Sequence, residues 1–350
     1  MACKNWLVIS LFCLVNLSLG AQTNYLFKNR KEGYRVYRIP ALVSTAKGKL
    51  LAFCEGRNNL FDGGDIDIVM KTSTDSGKTW SALQVVWNDG NNTCGNPSPV
   101  VDAVTGDVLL VATFNNDKVV VLRSKNEGVT WEIPVDITTA VKPENWKWYA
   151  TGPVHAIQMV NSSYKGRIVV PCNHTTVDNN KHVSHSIYSD DSGFTWQLGG
   201  SAPQEKTDEC TVVELQDGRL LLNMRGTGKP IANRKRCYST NGGLTWSEVE
   251  YDSTLIEPVC QGALLNYANA GAILFSNPHH TKQRKNLSMH ISYDNAGTWS
   301  KKLLIHKGKS AYNDLAILPN GNVLCIFETG KILPYSGIAL VTIRKDRLVR

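Results

Sequence analysis

One eight-residue phrase, Ser-x-Asp/Asn-x-Gly-x-Thr-Trp, is written five times in this chain and limits its architecture more than any other feature. It runs Ser73 to Trp80, Ser124 to Trp131, Ser189 to Trp196 and Ser239 to Trp246, with Asn126 and Asn241 in the acidic place of the second and fourth copies. A fifth copy, Ser292 to Trp299, carries Ala296 where glycine belongs. The copies start about 50 to 65 residues apart, the period of a repeat built from one small sheet per unit. Within the phrase, Asp or Asn bonds nearby amides and holds a turn. Glycine supplies a positive φ, and tryptophan packs under the turn and anchors it to its own sheet. The phrase reads as a hairpin staple remote from chemistry. Its spacing is similar to a calcium loop, but the remaining carboxylate ligands are missing.

Between the copies, short apolar strands alternate with turn signals. Examples are 49–54, 66–71, 108–114, 119–124, 167–172, 184–189, 211–215, 219–224, 272–276, 287–292, 322–328 and 337–344. No long 3.6-residue period appears, so helix is scarce. About 330 residues at roughly 55 per repeat predict an all-β, six-bladed β-propeller with four-stranded antiparallel blades, its edges shielded by radial closure. Loops at the inner strand ends then converge on a central hollow.

Residues 1–20 read as a cleavable secretory signal, with Lys4 before an apolar run to Leu19 and Gly20-Ala21 as the cut. Residues 21–350 form one propeller domain, expected outside the cytoplasm as a monomer. Cleavage removes Cys3 and Cys13 and leaves seven cysteines, an odd number compatible with one or two disulfides. Sequons stand at Asn91, Asn161, Asn173 and Asn286. The net charge of +8 is scattered along the chain without a basic stripe, which excludes nucleic acid as a partner, and no further stretch is long enough for a membrane span. The histidines show no metal-ligand spacing, and no metal or redox cofactor is expected.

Three arginines stand at strand ends: Arg38 in Tyr37-Arg-Ile-Pro40, Arg225 after Leu220–Met224, and Arg284 before Asn286–Ile291. Taken singly, each reads as an ion-paired structural residue. Three at equivalent places in different repeats converge on one point and call for an anion, and planar donors suit a carboxylate.

Tyr-Arg-Ile-Pro near the start, followed by several such boxes, resembles the bacterial-type exo-α-sialidases over essentially the whole chain beyond residue 20. The resemblance implies that Arg38, Arg225 and Arg284 clamp the substrate carboxylate. It implies Asp62, in the segment from Glu55 to Asp67, as acid/base, with Asp65 a competing candidate and Asp67 structural. Arg57 is an additional ligand or a partner for Asp62. Glu209 matches the base, Tyr312 the nucleophile, and Glu328 the acid that orients Arg38. A neutral phenol suits an anomeric carbon that itself bears a carboxylate, and Glu209 would take its proton. Tyrosine-nucleophile sialidases stand apart from the two-carboxylate glycosidases. The implied activity is hydrolysis, with retention, of terminal α-linked sialic acids on glycoproteins, glycolipids and oligosaccharides. Tyr37, for the usual Phe, and Ala296 depart from the family pattern and touch no implied catalytic side chain. The rivals are a transferring or intramolecular trans-sialidase and a non-catalytic sialoglycan-binding propeller. The segment Trp146–Pro153 reads as a packed blade turn before an aromatic sugar platform.

Overall fold

The computed structural model describes residues 23–178, 180–227 and 233–349. The expected secretory signal, residues 1–20, lies outside them. The described chain is an all-β propeller. Five continuous sheets are present: three of four strands, one of five and one of seven. The expected separate blades are joined at one place. Lys301–Ile317 is a single long strand whose first half pairs with Lys285–Ser292 and whose second half pairs with Val323–Thr329. Divided there, the sheets make six units of the expected antiparallel kind. The five-stranded sheet carries one extra two-residue strand, Ile157–Gln158.

The ring closes by pairing its two chain ends. Tyr25–Lys28 adds antiparallel to Gly337–Ile343, so the last unit takes its outer strand from the chain start. Closure pairs the outer side of the last unit, while the inner strand of each unit pairs on one side only and turns its other edge toward the hub. The first strands of neighbouring units contact one another around the axis, except between the third and fourth units, where Ile168–Thr176 meets Thr207–Glu214. Asp314, fully buried in one of them, accepts from Leu42 N at 2.8 Å and from His155 N at 3.1 Å, and so ties three units together.

The middle strands of each unit are buried on both faces, because neighbouring blades pack against them. Val108–Phe114 and Leu220–Gly226 are apolar runs for that reason. All twelve strands read from the sequence are present.

Every box begins on the last residue of a third strand and forms the turn to the fourth. In the first box, Gly77 N donates to Ser73 Oγ at 2.9 Å, Thr79 N to Asp75 Oδ1 at 2.9 Å, and Trp80 Nε1 to Gly77 O at 3.1 Å. Where Asn replaces Asp, the threonine hydroxyl reverses role. Thr79 donates to Asp75, whereas Thr130 accepts from Asn126 Nδ2 at 2.8 Å. The staple also reaches beyond its own sheet. A cation of the preceding unit donates to a box carbonyl in four cases: Lys49 to Glu127, Arg123 to Ser192, Arg167 to Gly242 and Arg236 to Ala296. The boxes therefore clasp blade to blade, which the sequence reading had confined to the box's own sheet.

The seven described cysteines are buried free thiols, not the one or two disulfides that their number allowed. Asn173 is buried within Ile168–Thr176, so of the four sequons beyond residue 20 this one is closed to a glycan in the folded chain. No helix among the described residues is long and apolar enough to cross a membrane.

Candidate active site

Opposite the boxes, four of the inner strands carry the same irregularity. Between Arg38 and Ala41 the inner strand advances three residues while its partner advances two, Glu55 to Phe53. The same three-against-two count holds from Gly95 to Ser98, from Thr207 to Cys210 and from Ser310 to Asn313. Each is a bulge with one extra residue, which re-aims side chains at the strand's end. Arg38, Glu209 and Tyr312 all stand at or within these bulges. Ile39 holds φ 59, a conformation that a β-branched residue adopts only when its surroundings impose it.

Buried carboxylates take the amides that the bulges release from pairing. Glu328, fully buried, accepts from Ile39 N at 2.9 Å and from Tyr312 N at 3.3 Å. Glu55, placed likewise one unit on, accepts from Asn96 N at 2.7 Å. Each carboxylate also holds an arginine. Glu328 Oε1 lies 2.9 Å from Arg38 Nε, and Glu55 Oε2 lies 2.7 Å from Arg57 Nε.

The bulges and adjoining loops enclose a cavity of about 470 Å³ whose lining includes Arg38, Asp62, Glu209, Arg225, Arg284 and Tyr312. The three arginines thus share one hollow. Arg38, within its strand, and Arg284, just before Lys285–Ser292, approach the Tyr312 ring at 5.2 and 5.3 Å from its centroid. Arg284 donates to Tyr335 Oη at 2.9 Å and to Val259 O at 2.8 Å. Arg225 Nη1 donates to Glu209 Oε2 at 2.5 Å and to Tyr312 Oη at 3.1 Å, and its Nη2 lies 3.2 Å from Asp208 Oδ2. Burial works against the charge on each guanidinium. It is outweighed at Arg38 by Glu328 together with Tyr312 and Tyr335, and at Arg225 by Glu209 together with Tyr312 and Asp208.

The Tyr312 hydroxyl donates to Glu209 Oε1. Burial first, then the Glu209 charge, lifts the phenol well above its ordinary pKa, while Arg225 and Arg284 pull the other way. The resting group is a neutral phenol bonded to a carboxylate. Asp208, beside Glu209, also has a raised pKa, chiefly from burial and against the pull of Arg225.

Asp62 differs from these groups in being open: its side chain is 78% exposed on the loop between the second and third strands. Arg57 Nη1 fixes that loop by donating to Phe61 O at 3.0 Å and Asp62 Oδ1 at 2.8 Å, and Arg38 Nη1 lies 3.8 Å from the same oxygen. Of the two alternatives for Arg57, the bond to Asp62 is present. Asp65 bonds Asn58 Nδ2, and the buried Asp67 is taken by Tyr34 Oη at 2.5 Å and Asn88 Nδ2 at 2.7 Å. Neither lines the cavity.

All eight residues singled out in the sequence therefore meet: six line the hollow, while Arg57 and Glu328 support it from behind. Two neighbours were not read. Tyr335 places its ring 4.6 Å from Arg38 and its hydroxyl on Arg284. It lies in a short loop bounded by Gly330 and broken by Pro334, with no strand signal. Asp208 was hidden beside Glu209, although paired acids sixteen residues before a strand-end arginine were visible. The Trp146 segment divides. Trp146 stacks on His174 with centroids 3.4 Å apart, whereas Trp148 lines the cavity. Burial drives the His174 pKa down to about 3 and that of His185 well below its ordinary value, so both are neutral core groups.

Residues 48–325 match the family model described as a BNR repeat-like domain. A sialidase from Paraclostridium sordellii is 32% identical, covering 85% of this chain and 80% of that protein. A sialidase from Micromonospora viridifaciens is 30% identical over 89% of this chain, and the chain spans 53% of that relative's length. Among solved structures, the Hadza microbial sialidase Hz136 is 28% identical with a TM-score of 0.81, covering 90% of this chain and 67% of that one. By its sequence matches and its fold, the chain belongs to the bacterial-type exo-sialidase family.

Proposed function

We propose that the protein is an exo-α-sialidase, a glycoside hydrolase that releases terminal α-linked sialic acids from glycoproteins, glycolipids or oligosaccharides with net retention. The observation that carries this reading is Tyr312 donating to Glu209 while Arg225 donates to both, within a hollow shared by Arg38 and Arg284. A sialoglycan binder needs the arginines but has no use for a phenol bonded to a base.

Arg38, Arg225 and Arg284 bind the sugar carboxylate and hold the anomeric carbon over the Tyr312 oxygen. Glu209 takes the phenolic proton as the tyrosine oxygen bonds that carbon. The glycosidic bond breaks, and Asp62 protonates the departing oxygen. Asp62 then removes a proton from water as it attacks from the vacated side. The tyrosyl bond breaks, and Glu209 returns the proton to Tyr312. Two inversions give retention. The exposure of Asp62 suits a group that must meet both the leaving chain and water, and Arg57 keeps it aimed. We assign residues 1–20 to secretion.

Release of a fluorescent aglycone from an α-sialoside, followed by proton NMR of the first sugar anomer formed, tests the reading. No release, or a β-configured first product, overturns it. Product transferred to added lactose ahead of water would reassign the enzyme as a trans-sialidase.

A further inference from the structure

The sequence presents its positive charge as scattered, but folding gathers part of it. At the site-facing end of the last two units lies a concave groove of about 980 Å³, twice the volume of the arginine hollow, into which Lys28, Lys307, Lys309 and Lys331 converge. Lys285 stands directly across the strand pair from Lys309, an arrangement of like charges that destabilises a sheet. None of these five lysines makes an ion pair among the described residues, whereas lysines elsewhere pair with Glu32, Asp117, Asp136 and Glu132. The field is felt nearby. The pKa of His280 is lowered by desolvation and then by Lys285, Lys309 and Lys282. A concave groove lined by one sign of charge focuses the field and draws in a ligand of the opposite sign.

The lining names the class of partner. Tyr25 adds an aromatic ring to the lining, and Asn24 and Thr23 offer amide and hydroxyl groups, while the Thr329 hydroxyl is bonded to Lys309 O at 2.7 Å. These are the contacts of a saccharide in a concave groove, whereas a flat lipid surface would need a protruding one. The groove contains ammonium groups and no guanidinium, while the hollow next to it reserves its arginines for a planar carboxylate. Compact point charges suit sulfate groups spaced along a chain.

We propose that this groove is a second, non-catalytic binding site for a sulfated polysaccharide, holding the protein on a sulfated matrix or surface beside its substrate. The site stands independently of the hydrolytic reading.

The test uses the full chain and a fluorescent heparin decasaccharide, titrated at several salt concentrations. We expect saturable binding that weakens steadily with salt, as release of condensed counterions requires. The triple variant Lys28→Glu/Lys307→Glu/Lys331→Glu should bind at least about tenfold more weakly, with turnover of a small sialoside changed less than about twofold. Should charge reversal disturb folding, the Lys→Gln version of the same triple carries the comparison. Undiminished binding by the variants, failure of the intact chain to bind, or displacement by free sialic acid would each overturn the proposal. So would equal affinity for an unsulfated hyaluronan oligosaccharide, or a preference for phosphatidylserine vesicles.

Discussion

Two devices recur around this ring, one at each end of the blades. The box turn recurs in both sequence and structure, whereas the inner-strand bulge recurs in structure alone. The box is closed within eight residues: serine, Asx, glycine and threonine satisfy one another, so its chemistry must be spelled out each time. The bulge is closed from far away. Ile39 N finds its acceptor 289 residues on, at Glu328, and Asn96 N finds Glu55 in the unit before. Relieved of satisfying itself, the bulge carries Ile39-Pro40 in one unit, Asn96-Pro97 in another, and Asp208-Glu209 and Ala311-Tyr312 in two more. A local device repeats its residues. A device supported from outside repeats only its backbone, and that leaves room for each unit to contribute a different functional group.

The sharpest way to break the comparison is at the site end. Tyr312→Phe removes one oxygen and should lower kcat for a sialoside by at least about 10³-fold, while the melting temperature moves little because the ring still packs between Arg38 and Arg284. Steady-state kinetics beside a thermal melt separates the two, and turnover within about tenfold of the parent would remove Tyr312 from the chemistry. Next in size is the support. Glu328→Gln keeps the volume but leaves Arg38 buried without its carboxylate and sets an amide against two backbone donors. Breaking a buried pair costs about 3–5 kcal/mol, so we expect a large fall in urea midpoint and, in the folded fraction, a raised KM. An unchanged KM would mean that Arg38 keeps its place without Glu328.

What the sequence disclosed follows the same division. Val108–Phe114 was legible to the residue, since a strand buried on both faces is an apolar run with sharp ends. Val36–Ser44 and Cys94–Val101 were not read, because their site ends carry prolines, polar groups and the extra residue that breaks the period of two. The three arginines were visible as charges out of place at strand ends, and their equivalent places in different repeats already pointed to one meeting place; their role as a carboxylate clamp came with the resemblance. Tyr335 and the lysine groove were invisible for a further reason. Their neighbours come from opposite ends of the chain, as Lys28 and Lys331 do, and no window along the sequence holds both.

At the box end, Gly193→Ala is the strongest disruption that leaves the site alone. Gly193 holds φ 79, and a Cβ there would come within 2.4 Å of Leu109 Cδ1 in the preceding unit. Left-handed backbone costs roughly 1–2 kcal/mol, and crowding against the leucine brings the total to about 2–3 kcal/mol. The denaturation midpoint should fall while kcat/KM per folded molecule stays within about twofold. A kinetic change at equal folded fraction would show that the clasp between blades reaches the inner bulges.

The mildest change asks whether the two forms of the box are equivalent. In the third box Asp191 Oδ1 accepts from Thr195 N at 2.8 Å and Oδ2 from the Thr195 hydroxyl at 2.6 Å, whereas the second and fourth boxes do the same work with Asn. In Asp191→Asn the threonine hydroxyl need only turn from donor to acceptor, so at neutral pH the melting temperature should shift by no more than about 2 °C, within the ordinary range for surface changes. The difference grows in acid. Slight burial works against the Asp191 charge, but the bonds from Thr195, Ser189 and Phe194 win and hold its pKa below the usual carboxylate value. A depressed carboxylate contributes stability above its unfolded pKa, near 3.9, and loses it as pH falls through the folded one. The asparagine variant has no such group to protonate, so it should gain on the parent chain in melts stepped from pH 5 down to pH 3. Parallel curves over that interval would mean that the charge at this turn adds nothing that the amide lacks, and that the hydrogen-bond pattern alone defines the box.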